Sequence, residues 1–212
     1  RWTQPENLVV AVVGTGEPDR IADRMERLLE PLQKRTGAPL VVPEVVFPTE
    51  SQEFVVRAGR GQSQVILGWG TEGLNRPDRL ALDLAASVMG SPAGRLFQSL
   101  RDHHGIAYDL DASNASALGA GCFALELTTE SGRSEEARDR LLEELRLVAQ
   151  EGVAAAELER SKAQLVFSRL DALQMPGSRA SELAYWERCL GRGHRTRIEG
   201  DTEFIVIAAG GL

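Results

Sequence analysis

The sequence predicts an α+β fold, an antiparallel-dominated sheet with helices packed on one face. Three observations carry that prediction. Strand signals fall in adjacent pairs, 54–56 with 63–69 and 106–114 with 122–129, and adjacent strands favour hairpins. Helical periodicity is grouped instead, in three consecutive stretches between 134 and 190. Strict alternation of strand and helix, the mark of a doubly wound parallel sheet, is missing.

The elements follow in chain order. Leu8-Val9-Val10-Ala11-Val12-Val13 has the length and β-branched content of a strand covered on both faces, and it ends at Gly14-Thr15-Gly16. Glu17-Pro18-Asp19 opens a helix, because proline is tolerated in a first turn and acids favour its positive end. Ile21, Met25, Leu28, Leu29 and Leu32 keep helical spacing to about Gln33. Pro39, Pro43 and Pro48 mark a connector. Phe54-Val55-Val56 and 63–69 read as strands around a turn at Gly59-Arg60-Gly61. A helix is expected from Pro77, with Leu80, Leu84, Ala85 and Val88, broken at Met89-Gly90-Ser91-Pro92. Another is expected over 95–103, stopped by Gly105. In 122–129, Phe123, Leu125 and Leu127 alternate with Ala124, Glu126 and Thr128, which gives that strand one buried face. Helices follow from Ser134, over 154–174 with a stop at Pro176-Gly177, and over 178–190. The apolar run 204–208 is expected to return to the sheet.

Composition bounds the function. The chain has 212 residues, 42% of them hydrophobic and 26% charged, which suits a folded protein with a sizeable core. The 1–50 stretch reads as a lead-in strand, helix and connector, and 51–212 as the main α+β domain. With 24 basic and 31 acidic residues the net charge is −7, which argues against nucleic acid as a partner. No apolar run approaches the roughly 20 residues of a membrane span. Cys122 and Cys189 are too few for a disulfide framework and are expected to be buried free thiols. Arg1 rather than Met opens the sequence, which suggests part of a longer polypeptide. Nothing in the sequence assigns a compartment.

Most chemical motifs are absent. After Gly14-Thr15-Gly16 a dinucleotide fingerprint needs another glycine where Asp19 stands, so a plain strand-to-helix turn is the better reading. Adjacent His103 and His104 diverge on a helix, and neither His-x-x-Glu-His nor Cys-x-x-Cys occurs, so no metal site is expected within this chain. There is no Gly-x-Ser-x-Gly elbow. Several carboxylates lie on helix faces, including Glu143, Glu144, Glu157 and Glu159, and most of them are expected to be solvated.

The informative segment is Arg95-Leu96-Phe97-Gln98-Ser99-Leu100-Arg101-Asp102-His103-His104-Gly105-Ile106-Ala107-Tyr108. Arg101 lies in the last helical turn and Tyr108 just past the bend. Two readings stand. A guanidinium and a phenol flanking one surface pocket can hold a peptide carbonyl or the oxyanion formed on attack. Alternatively they are a helix-end arginine and a half-buried tyrosine.

This segment resembles the pitrilysin/insulinase family of zinc metallopeptidases, in its C-terminal-type domain rather than its zinc-binding one. The family pattern is a turn of small residues, Ser-Arg-Leu-Phe-x-x-Leu-Arg, and then Gly-Leu-Ala-Tyr. Here Met89-Gly90-Ser91-Pro92-Ala93-Gly94 precedes Arg95-Leu96-Phe97-Gln98-Ser99-Leu100-Arg101, and Gly105-Ile106-Ala107-Tyr108 completes it. Pro5-Glu6-Asn7-Leu8, Leu142-Glu143-Glu144-Leu145, Glu151-Gly152-Val153 and Glu157-Leu158-Glu159-Arg160-Ser161-Lys162 agree in order, so the likeness runs over 5–190.

The resemblance implies the metallopeptidase-half (LuxS/MPP-like) fold. It implies that Arg101 and Tyr108 bind a peptide substrate, with no catalytic residue and no cofactor in this chain. Zinc is expected on a partner domain or subunit of the same family, and a dimer is compatible with that. The chain alone is expected to be inactive. The rival reading is a catalytically inactive structural or assembly subunit of the same fold. Three features depart from the family: Ser91-Pro92-Ala93-Gly94 where Gly-Met-Ser-Ser is common, His103-His104 in place of a charged pair, and a short stretch between Leu190 and Phe204 where relatives insert a helix.

Overall fold

A computed structural model describes residues 8–33, 44–57, 59, 61–74, 76–190 and 203–208. The predicted turn at Gly59-Arg60-Gly61, the prolines at 39 and 43, and the stretch from 191 to 202 lie wholly or partly outside the described residues. The chain gathers into two compact units, one of Arg1–Val42 with Ser168–Leu212 and one of Pro43–Phe167. That grouping joins the two ends of the chain, so it cuts the sequence differently from the linear division at residue 50.

In the unit formed by the two ends, β1 (Val9–Gly14) pairs antiparallel with β5 (Glu203–Ala208), in register from Val9 opposite Ala208 to Gly14 opposite Glu203. The last apolar run therefore returns to β1, in a two-stranded sheet of its own. α1 (Pro18–Gln33) lies against β5, and α5 (Pro176–Leu190) packs along β1. α5 begins at Pro176, directly after α4 (Ala155–Gln174) and Met175, because a first-turn proline forfeits no helical hydrogen bond. The residue pair that stops one helix thus starts the next.

The other unit is built on a three-stranded antiparallel sheet in the order β2-β4-β3, where β2 is Gln62–Thr71, β3 Asp109–Ser116 and β4 Gly121–Glu130. The expected alternation holds: Phe123, Leu125, Leu127 and Thr129 of β4 are buried, and Leu110 of β3 joins them. Helices α2 (Arg79–Gly90) and α3 (Ser134–Glu151) cover this face with Ala86, Met89, Ala137 and Leu141. The opposite face carries Cys122, and Phe47 lies against it at Gly70. That cysteine is exposed and Cys189 is half-buried; both are free. The expectation of two buried thiols fails for Cys122 because strand parity sends it to the face away from Phe123.

The strand expected at Phe54-Val55-Val56 does not form. These residues are extended without a ladder partner and are 82%, 70% and 89% exposed. β2 pairs with β4 on one side only, and among the described residues this triplet joins no ladder, so nothing holds it in a sheet. α2 starts at Arg79 rather than at Pro77, with Asp78 in the N-cap position.

Candidate functional site

The site is a corner between a helical turn and β3. Arg95 and Leu96 open the helical stretch and Phe97–His103 continue it with π-helical winding. The wider winding shows in the backbone, where the His104 N–H donates to the Ser99 carbonyl at 3.0 Å. Leu96 and Leu100 point into the core and are fully buried. Gly105 then turns the chain with φ +56, a left-handed conformation that glycine adopts without a Cβ clash. The Leu100 carbonyl accepts from the N–H groups of both Ile106, at 2.8 Å, and Ala107, at 3.3 Å. This closes the corner and delays β3. The predicted strand from 106 begins only at Asp109 because those two donors are already committed. Ile106 and Ala107 are buried instead, and the Tyr108 N–H reaches the Thr128 carbonyl of β4 at 2.8 Å.

Both sequence-assigned residues emerge at this corner on the surface of one unit. Arg101 is exposed and rests against Phe97, with its guanidinium carbon 5.7 Å from the ring centroid. Tyr108 is 56% exposed. His103 and His104 are also exposed, near the negative end of the helical turn.

Two arginines brace the corner from behind, and the sequence reading gave neither a role. Arg133, at the junction of β4 and α3, donates to the Gly105 carbonyl at 3.4 Å and pairs with Glu136 at 3.0 Å. The hydrogen bond to Glu136 raises its pKa first, with the charges of Glu136, Glu130 and Tyr108 adding to it. The same bond holds the Glu136 carboxyl below its ordinary value. Arg95 makes a two-pronged contact with Glu157 of α4, Nε to Oε1 at 2.7 Å and Nη2 to Oε2 at 2.8 Å, and Nη2 also donates to the Gly152 carbonyl at 3.0 Å. Glu157 is therefore an exception among the helix-face carboxylates; its side chain is only 13% exposed. The Arg95 hydrogen bond, before any other cause, holds its carboxyl below the usual range. Glu159 does match expectation, paired with Lys162 at 2.7 Å on an exposed face.

A zinc site does not fit here. Among the described residues no group of three or more His, Cys, Asp or Glu side chains is arranged to hold a metal ion. Nor is any described helix long and apolar enough to cross a membrane.

Comparison with known proteins agrees with this picture. The family model of the Peptidase M16 inactive domain matches residues 1–165. An uncharacterized zinc protease, YmxG, of Bacillus subtilis is 28% identical over 198 residues, which cover 91% of this chain and 46% of that protein. An uncharacterized zinc protease of Streptomyces coelicolor, SCO5738, is 26% identical, over 88% of this chain and 42% of that one. The chain thus spans less than half the length of these curated relatives. Among solved structures, a protease from Helicobacter pylori superposes with a TM-score of 0.67 at 14% identity, over 92% of this chain and 53% of that one. A peptidase M16 inactive domain from Pseudomonas fluorescens gives a TM-score of 0.53 at 16% identity, over 68% of this chain and 40% of that one.

An α+β domain of the metallopeptidase-half type, without a metal-holding donor set among its described residues, is thus what fold and site define. The chain belongs to the family of M16 peptidase inactive domains.

Proposed function

We propose that this domain forms the substrate-binding wall of an M16-type zinc protease, with Arg101 and Tyr108 gripping the backbone of an extended peptide. One observation supports the reading above the others. At a corner whose flanking residues Leu100, Ile106 and Ala107 are all buried, a guanidinium and a phenol stand out into solvent.

A bare surface arginine is ordinary, but this one follows the fully buried Leu100, so its backbone is anchored in the core. The guanidinium offers a planar fork of N–H groups and the phenol a single O–H. Both suit a carbonyl oxygen, and both suit better the oxyanion that forms when the carbonyl is attacked. The edge of β3 away from β4, which starts one residue after Tyr108 and has no strand partner among the described residues, suits backbone pairing with an extended chain, a largely sequence-blind mode. Zinc belongs, on this reading, to a partner domain or subunit. The present chain binds and orients and does not itself cleave.

The test is kinetic, on the protein assembled with its zinc-bearing partner. Arg101→Ala and Tyr108→Phe are each expected to lower kcat about 10²–10³-fold, the usual effect of removing one oxyanion donor, with little change in melting temperature. Wild-type turnover in both variants would reduce the domain to a structural subunit. The isolated chain, supplied with zinc, is expected to show no peptidase activity, and chelator-sensitive cleavage by it would contradict the division of labour.

A further inference from the structure

Arg101 has an underlay. Its guanidinium carbon sits 5.7 Å from the centroid of the Phe97 ring, inside the range of about 6 Å within which a cation is drawn to an aromatic face. Phe97 is itself only half-exposed and packs against the buried cluster that holds Leu96, Leu100 and Leu141. The ring is therefore anchored from below by the core while it meets the guanidinium above.

The backbone contributes to this stacking. Phe97 and Arg101 are four residues apart within the π-helical stretch, a spacing that keeps them on one side of it. Among the described residues Arg101 forms no ion pair, so the ring contact orients its charge without consuming its hydrogen-bond donors. A carboxylate partner, such as Glu157 is for Arg95, would have occupied the fork.

We propose that Phe97 is a positioning residue that holds the Arg101 guanidinium in the orientation that meets a peptide carbonyl. This rests on the reading of Arg101 as a substrate-binding group. The alternative is that Phe97 only fills space beside the core.

The experiment is a double-mutant cycle in the assembled protease, read as kcat and KM on a fluorogenic peptide, with a melting temperature for every variant. Phe97→Leu keeps the apolar bulk and removes the ring face; it is expected to lower kcat/KM about two- to five-fold, the scale of an exposed cation–π contact. Phe97→Tyr keeps the ring and is expected to retain near-wild-type kinetics. In an Arg101→Ala background Phe97→Leu is expected to have no further effect. If Phe97→Leu does not fold, Phe97→Met supplies the same comparison. Equal losses from Phe97→Leu with and without Arg101 would overturn the proposal, as would equal losses from the Leu and Tyr variants or no loss from either. Full activity in Arg101→Ala would instead sink the parent reading of Arg101, whatever Phe97 does.

Discussion

Breaking the link between Arg95 and Glu157 should destabilise the protein at neutral pH and should do nothing in acid. The pair is well formed, with two parallel N–H to O contacts of 2.7 and 2.8 Å and side chains only 22% and 13% exposed. Glu157→Gln keeps the shape but removes the charge, leaving a sheltered guanidinium with only neutral acceptors, the amide oxygen and the Gly152 carbonyl. Hydrogen bonds to charged groups contribute about 1.5–3 kcal/mol, so a loss of that order is expected. At about 2–4 °C per kcal/mol for a chain of this size, the melting temperature should fall by about 3–12 °C. The sign with pH follows from the depressed Glu157 carboxyl. A carboxylate held below its unfolded value of about 4.3 stabilises fully above that value. It loses the contribution as pH falls through the lower, folded value. Glutamine cannot titrate, so the two unfolding curves should lie apart at pH 7 and converge well below pH 4. Urea titration followed by Trp69 fluorescence, with Trp2 and Trp186 replaced by Phe in both proteins, reads this directly, since Trp69 lies in the same unit. Coincident midpoints at pH 7, or a gap that persists undiminished in acid, would refute the argument.

Two backbone predictions accompany it, each checked by thermal melting. Gly90 ends α2 where a Cβ would stand 2.4 Å from the Ala112 backbone nitrogen and 2.7 Å from the Ala112 Cβ. Gly90→Ala, which in an open helix would gain about 1 kcal/mol, should therefore cost about 1–3 kcal/mol here, and a stabilised variant would show that α2 does not press on β3. At Gly105 the space is free and only the φ of +56 matters, so Gly105→Ala should cost about 1–2 kcal/mol and Gly105→Asn less; equal cost for both would point to packing rather than conformation.

The features legible in the sequence are those with a short period. β4 declares its buried face through Phe123, Leu125 and Leu127, and the helices from 134 onward declare themselves by spacing and by their Gly and Pro stops. The parity that buries Phe123 also puts Cys122 outside, so that exposure was readable from the same alternation. Three features were not legible, because each depends on something far off in sequence. Phe54-Val55-Val56 looks like a strand locally and lacks only a partner. Glu157 looks solvated until folding brings Arg95 to it across 62 positions. The π-helical winding of Phe97–His103 has no signature that separates it from an α-helix of the same residues, and it becomes visible only when the His104 N–H is traced to Ser99. Of the candidate site, the motif singled out Arg101 and Tyr108, and both side chains are exposed. Arg95 and Phe97 stand in the same motif, but their contacts with Glu157 and Arg101, and Arg133 at the Gly105 carbonyl, became visible only in the fold.

The corner itself is anchored through its backbone and its inward side chains. The Leu100 carbonyl takes two donors, the Leu100 side chain is fully buried, and the next residue is Arg101. On the far side Ile106 and Ala107 are buried, and the Tyr108 N–H is bound to β4. Each functional candidate is thus the first outward residue beside an inward, hydrogen-bonded one. The backbone positions from which the two side chains start are fixed by the core and not by contacts the side chains make themselves. Truncating Arg101 or Tyr108 therefore removes a surface group and leaves its scaffold standing. Truncating Leu100 opens a cavity, at a cost of about 2–5 kcal/mol, and loosens both at once. Function and stability separate at adjacent positions, 100 and 101, because the turn sends one side chain in and the next out.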